Sequence, residues 1–150
     1  MKVNAHMKKT ILITVLLFFS AYQIKAQEVT LFDRNGDARA YIDYDEEATI
    51  FLWNGKPVAF LEDDGSDMCV FGFNGNFLGW YEDGIIRDEN GDAVGARKGA
   101  VNMVTSIEPI KSTQEIIPIK PITPITPIKP IFSNSWSSES LTEFLYSDKN

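Results

Sequence analysis

The chain has 150 residues, 44% of them hydrophobic, with 14 basic against 21 acidic side chains, a formal net charge of −7 and one cysteine. Such an acidic surface lacks the Lys/Arg clusters that displace counterions from a phosphate backbone, which excludes a nucleic-acid partner. One cysteine cannot close an internal disulfide, and the one histidine, His6, lies in the first segment. The rest of the chain therefore lacks the residue needed for Ser-His or Cys-His catalysis and for His-bound zinc.

That first segment reads as a leader. "MKKTILITVLLFFSAYQIKAQ", from Met7, opens with two lysines, Lys8 and Lys9, followed by an apolar run from Ile11 to Phe19 and Ala26 before Gln27, the order of an export signal. The apolar run is roughly ten residues, well short of the roughly 20 that span a bilayer. Residues 1–26 are thus expected to be cleaved, with no membrane span afterwards and the periplasm or the cell exterior as destination. No lipobox cysteine is present, because the one cysteine is Cys69, which is read as a small buried hydrophobe. A leader with four lysines and no acid takes the charge of the remainder to 10 basic against 21 acidic residues, a net −11.

Residues 27–107 repeat themselves. Aligned on Asn-Gly, the copies are "LFDRNGDARAYI" from Leu31, "IFLWNGKPVAFL" from Ile50, "VFGFNGNFLGWY" from Val70 and "IIRDENGDAVGAR" from Ile85. Asn-Gly between alternating apolar runs predicts a two-residue type I′ hairpin turn, with positive φ at both central positions. Four copies predict four hairpins, or eight short strands. Equal spacing from the turn pairs Leu31 with Ala40, Ile50 with Ala59, Val70 with Gly79 and Ile86 with Gly95. An aliphatic residue opposite Ala or Gly in every copy predicts a close approach by another group on that face. A hairpin alone is marginal in water, so the four are expected to share a core.

These units, and above all "FGFNGNFLGWYEDGII" and "DENGDAVG", resemble the four-fold β-flower domain of exported bacterial proteins. The resemblance implies an all-β fold of four consecutive hairpins around a pseudo-fourfold axis, and implies neither catalytic residues nor a cofactor. A linear hairpin array is the alternative and would need capping units. The fourth copy has Arg87 where the others have Phe32, Phe51 and Phe71, and Ala96 where they have Tyr41, Phe60 and Trp80. It is expected to be more exposed or to lie under the tail.

In residues 108–132, Pro118, Pro121, Pro124, Pro127 and Pro130 recur every third position. A polyproline-II helix has three residues per turn, so the prolines form one edge, Ile119, Ile122, Ile125, Ile128 and Ile131 a second, and Lys120, Thr123, Thr126 and Lys129 the third. An isoleucine edge calls for a surface, and its own hairpin domain, whose acids Lys120 and Lys129 can face, a second copy or another envelope protein are the candidates. A semi-rigid spacer is the remaining reading. Residues 133–150 predict a short docked helix with an N-cap at Ser138, Leu141, Phe144 and Leu145 at helical spacing, and Trp136 as an anchor.

Candidate chemistry is sparse. "DRNGD", "DDGSD" and "DENGD" gather oxygens without the order of a calcium loop, so no metal is assigned. The acids cluster in turns, which ranks a carboxylate hydrolase third among the functions. Trp53, Phe73, Trp80 and Tyr81 are the candidate ligand platform, since flat rings edged by carboxylates can hold sugars. A non-catalytic structural or interaction module of the envelope ranks first, and a carbohydrate or small-ligand binding module second.

Overall fold

A computed structural model describes residue 4 and residues 27–146. The leader expected over residues 1–26 lies outside the described residues except for Asn4. No helix among the described residues is long and apolar enough to cross a membrane.

Eight antiparallel strands close into a barrel in chain order. They are β1 (Glu28–Phe32), β2 (Ala38–Asp43), β3 (Thr49–Leu52), β4 (Pro57–Asp63), β5 (Met68–Gly72), β6 (Phe77–Glu82), β7 (Ile85–Arg87) and β8 (Ala93–Ala96), followed by the helix α1 (Leu141–Leu145). Each strand pairs with the next, and Phe32 opposite Ala96 joins β1 to β8. Closure leaves no free sheet edge, which is how eight strands of only three to seven residues avoid offering a template to other chains.

The four aliphatic and small pairs form as the repeat predicts: Leu31 with Ala40, Ile50 with Ala59, Val70 with Gly79 and Ile86 with Gly95. The turns between them differ from the expected type. In each copy the Asn-Gly glycine donates to the carbonyl three residues back, from Gly36 to Asp33, Gly55 to Leu52, Gly75 to Gly72 and Gly91 to Asp88. Those glycines alone carry positive φ, from +79° to +90°, while the asparagines do not. The loop therefore holds one residue more than a type I′ turn. A bulge on the returning strand, for example at Arg39 between Ala38 and Ala40, absorbs that extra residue and restores the pairing.

Alternation sends the two sides of each strand into different layers. One side supplies the aliphatic core, with Leu31, Ile50, Val70 and Ile86 wholly buried. Leu141, Phe144 and Leu145 of α1 join that core. A Cβ on Gly95 would stand 2.8 Å from Leu141, whereas one on Gly79 would meet the Arg87 carbonyl of the neighbouring strand at 1.9 Å before Phe144 at 3.2 Å. The cap of α1 is Ser140 rather than Ser138. Its hydroxyl accepts from the Glu143 amide while the Glu143 carboxylate accepts from the Ser140 amide, a reciprocal box that "SLTE" encodes.

The other side of the strands carries Phe32, Tyr41, Phe51, Phe60, Phe71 and Trp80, none more than 2% exposed. Outward rings stay that dry only under a cover. Residues 104–136 supply it, passing over the four hairpins in order.

Candidate functional site

The covering segment, hereafter the belt, repeats every nine residues. Ser106 donates its amide to Gly36 O at 2.8 Å, Glu115 to Gly55 O at 2.9 Å and Ser133 to Gly91 O at 3.1 Å. The missing member, nine residues after Glu115, is Pro124, which has no amide to give. A Cβ on Gly36 or Gly55 would meet the belt carbonyls of Val104 and Thr113 at 2.0 Å, so only glycine permits the approach. Contact thus begins at Val104, upstream of the first regularly spaced proline.

Three lysines share the period. Lys111 bonds Glu28 at 2.5 Å and stands 4.0 Å from the Tyr41 ring and 5.3 Å from that of Trp53. Lys120 donates to Glu47 O at 2.6 Å and lies 5.0 Å from the Phe60 ring. Lys129 bonds both Asp67 and Glu82 at 2.7 Å and lies 4.8 Å from Phe132, which itself packs on Trp80 at 6.0 Å. The aliphatic stems thus run across the rings while the ammonium groups reach the carboxylates. The Asp67 and then the Glu82 carboxylates hold the Lys129 ammonium above its ordinary pKa. Between the lysines, Thr123 donates to Glu62 at 2.8 Å and Thr126 to Asp64 at 2.7 Å. The Thr126 hydroxyl, with the Asp67 and Ser66 amides, lowers the Asp64 carboxyl to about 2. Each exposed pair contributes only about 0 to 1 kcal/mol, so the belt is held by many small terms and by the rings it keeps dry.

The four residues of the expected ligand platform do not come together. Trp53 packs edge-on against Tyr41 at 5.8 Å and gives its indole N–H to Pro109 O at 3.1 Å. Phe73 packs on Phe60 at 5.3 Å. Trp80 is 2% exposed and abuts Phe77 at 4.9 Å. Tyr81 belongs with the aliphatic layer on the opposite side of the sheet, its phenol pushed up to about 12 by burial and by Tyr44. Three of the rings hold or underlie the belt. A cleft of about 200 Å³ includes Phe73, with Pro57, Val58, Pro118, Leu145 and Tyr146 among its other walls.

The isoleucine edge faces the other way. Ile119, Ile122, Ile125, Ile128 and Ile131 are 95 to 99% exposed, which corrects the reading that this edge lies on its own barrel. The barrel's outer layer is aromatic and rimmed by carboxylates, so the Lys/Thr edge is the complementary one. Trp136 is half-buried and is held through its neighbours, as Ala93 donates to Ser135 O at 2.9 Å and Ser137 donates to Ala93 O at 2.8 Å. Arg87 also lies under the tail: it donates to Ser133 O at 2.7 Å and stands 4.7 Å from the Phe132 ring.

The nine-residue period escaped the sequence reading, although "Pro-Ile-Lys" at residues 109–111, 118–120 and 127–129 spells it. Carboxylates in the Asn-Gly turns are engaged locally, since Asp33 and Asp88 each accept two amides of their own turn. Among the described residues, no three of His, Cys, Asp or Glu gather in a way that could hold a metal ion.

Comparison with known families matches residues 29–145 to the family described as "4-fold beta flower protein". No curated protein and no solved structure is similar enough to match.

Proposed function

Because the chain belongs to the 4-fold beta flower family, we propose that it is an exported, non-catalytic structural or protein-interaction module of the bacterial cell envelope. In this reading the four hairpins stand around a pseudo-fourfold axis, and a polyproline-II belt rings them. The observation that carries the proposal is the division of labour along the belt. Its polar edge is consumed by the barrel, while its isoleucine edge is presented, ordered and uncovered, to the outside. A monomer that only needed a covered aromatic layer has no use for an isoleucine at every third outward position, and patches of this kind mark interaction sites. The candidate sugar-binding rings support the same conclusion, since Trp53 and Trp80 are engaged within the fold.

The test is export followed by crosslinking in cells that express the full chain, with a photoreactive residue at Ile122 or, as control, at the exposed turn residue Asn90. The expected result is a cell-free or periplasmic protein beginning at Gln27, with protein adducts from position 122 and none from position 90. Cytoplasmic retention of the intact leader, or no adduct from position 122, contradicts the proposal.

A further inference from the structure

Nine apolar side chains line the outward edge of the belt, at every third position from Val104 to Ile131 except Thr113, and each is 91 to 99% exposed. At about 30 Å² per buried carbon, a four-carbon side chain presents roughly 100 Å² and the edge on the order of 900 Å². The largest apolar patch of an ordinary monomer is about 300 to 600 Å², whereas each side of a standard protein interface buries about 800 Å². The edge has the size of an interface.

Resting on the interaction-module reading above, we propose that the occupant of this edge is the same edge of a second copy of the chain. Three observations favour that partner. The first is spacing: with three residues per turn and a rise of about 3.1 Å, successive isoleucines stand about 9 Å apart. That interval admits one isoleucine of an identical ribbon between each pair. An antiparallel offset satisfies both copies at once, as a twofold interface requires.

The second is direction. A three-edged helix with its Lys/Thr edge turned inward points its other two edges 120° away, so the isoleucines incline toward one end of the barrel more than they point radially. Two copies can therefore meet rim to rim.

The third is charge. Beside the belt, Glu28, Glu47 and Asp67 are paired within the chain by Lys111, Lys120 and Lys129, while Glu62 and Asp64 accept from threonine hydroxyls and keep their charge. The three lysine pairs lower the repulsion that two like rims meet on close approach. A lipid surface fits less well, because all three belt lysines turn inward and the chain carries a net −7, leaving no cation on this edge to meet anionic headgroups.

Light scattering and sedimentation equilibrium on the full chain, as processed and purified from its host, test the proposal over concentrations up to about 100 μM. The wild type is expected to reach twice the single-chain mass. Ile122→Lys combined with Ile125→Lys, at sites 99% and 98% exposed, is expected to stay at single-chain mass with an unchanged near-ultraviolet circular dichroism spectrum, since like charges then face each other. Glu89→Lys, on the exposed part of a turn, is expected to behave as wild type. A wild type of single-chain mass throughout, or a double variant that dimerises as well as wild type, overturns the proposal. So does flotation of a single-chain wild type with phosphatidylcholine or phosphatidylglycerol vesicles that the double variant loses, which assigns the edge to lipid. If the purified chain is monomeric while position 122 still crosslinks to a different envelope protein, self-docking falls and the interaction-module reading stands. Monomeric protein with no adduct removes both.

Discussion

The amide of Ser106 donates to the carbonyl of Gly36 at 2.8 Å across seventy residues of chain. The same bond recurs nine residues on, from Glu115 to Gly55, and again from Ser133 to Gly91. The belt is thus in register with the hairpins, one nine-residue unit per Asn-Gly turn. A spacer that merely followed the domain would have no such register.

Glycine at the turn tips is the first place to test it. Gly55 and Gly65 both have positive φ, +90° and +96°, but a Cβ on Gly55 meets Thr113 O at 2.0 Å while one on Gly65 meets nothing within 4 Å. Gly65→Ala is expected to cost about 1 kcal/mol from backbone conformation alone. Gly55→Ala is expected to cost about 2 kcal/mol more, because the belt must move. Urea unfolding of the two variants gives the difference, and equal losses would mean that the belt does not rest on the turn.

The helix plugs the aliphatic core. Phe144→Ala removes a side chain 3% exposed and is expected to lower stability by about 3 to 5 kcal/mol. Ser140→Ala removes only the cap and is expected to cost about 1 kcal/mol. Thermal or denaturant unfolding of both variants checks the order, which a frayed terminus would erase.

Acid loosens one specific contact. The folded Asp64 carboxyl, at about 2, lies below its ordinary 3.8, chiefly because Thr126 donates to it. A depressed carboxylate stabilises the fold above the unfolded value and loses that contribution as pH falls from 3.8 through about 2. Thr126→Val should therefore destabilise the protein at pH 6 and much less at pH 2. A wild-type minus variant gap that does not change with pH would show that the pair does not form.

Cys69 is wholly buried, and burial followed by the nearby Asp64 carboxylate raises its thiol to about 12. The thiolate is the reactive species, so the native protein is expected to leave a thiol reagent unreacted at pH 8 and to react fully once unfolded in guanidinium. Rapid reaction of the native protein would contradict this burial.

The hairpins and their strand pairs were legible because Asn-Gly repeats and period-two patterning are local signals, whereas the closure of β1 on β8 was not. The pairing of Leu31 with Ala40 and its three counterparts came out correctly although the turn type did not, since the longer loop and the bulge shift the register in opposite senses. The close approach announced by Gly79 and Gly95 was legible too, but not the groups that make it, the Arg87 carbonyl at Gly79 and Leu141 of α1 at Gly95. Lys120 and Lys129 could be matched to the acidic body from charge alone, but that their edge faces inward in place of the isoleucines stayed hidden. Isolated hydropathy favours burying isoleucine. Inside this protein the competing term is an aromatic and carboxylate surface that accepts lysine better, as Lys111 over Tyr41 shows. Trp53, Phe73 and Trp80 read as a platform for the same reason: the sequence displays rings without displaying what covers them.

Hydrogen exchange at the amides of Ser106, Glu115 and Ser133 in the native full chain tests the central claim most directly, that the belt is an ordered part of the fold with its polar edge inward. The account predicts that all three exchange at least about a hundredfold more slowly than in a free peptide. Exchange of the three at peptide rates would mean that the belt does not lie on the hairpins, and the ordered isoleucine edge would fall with it.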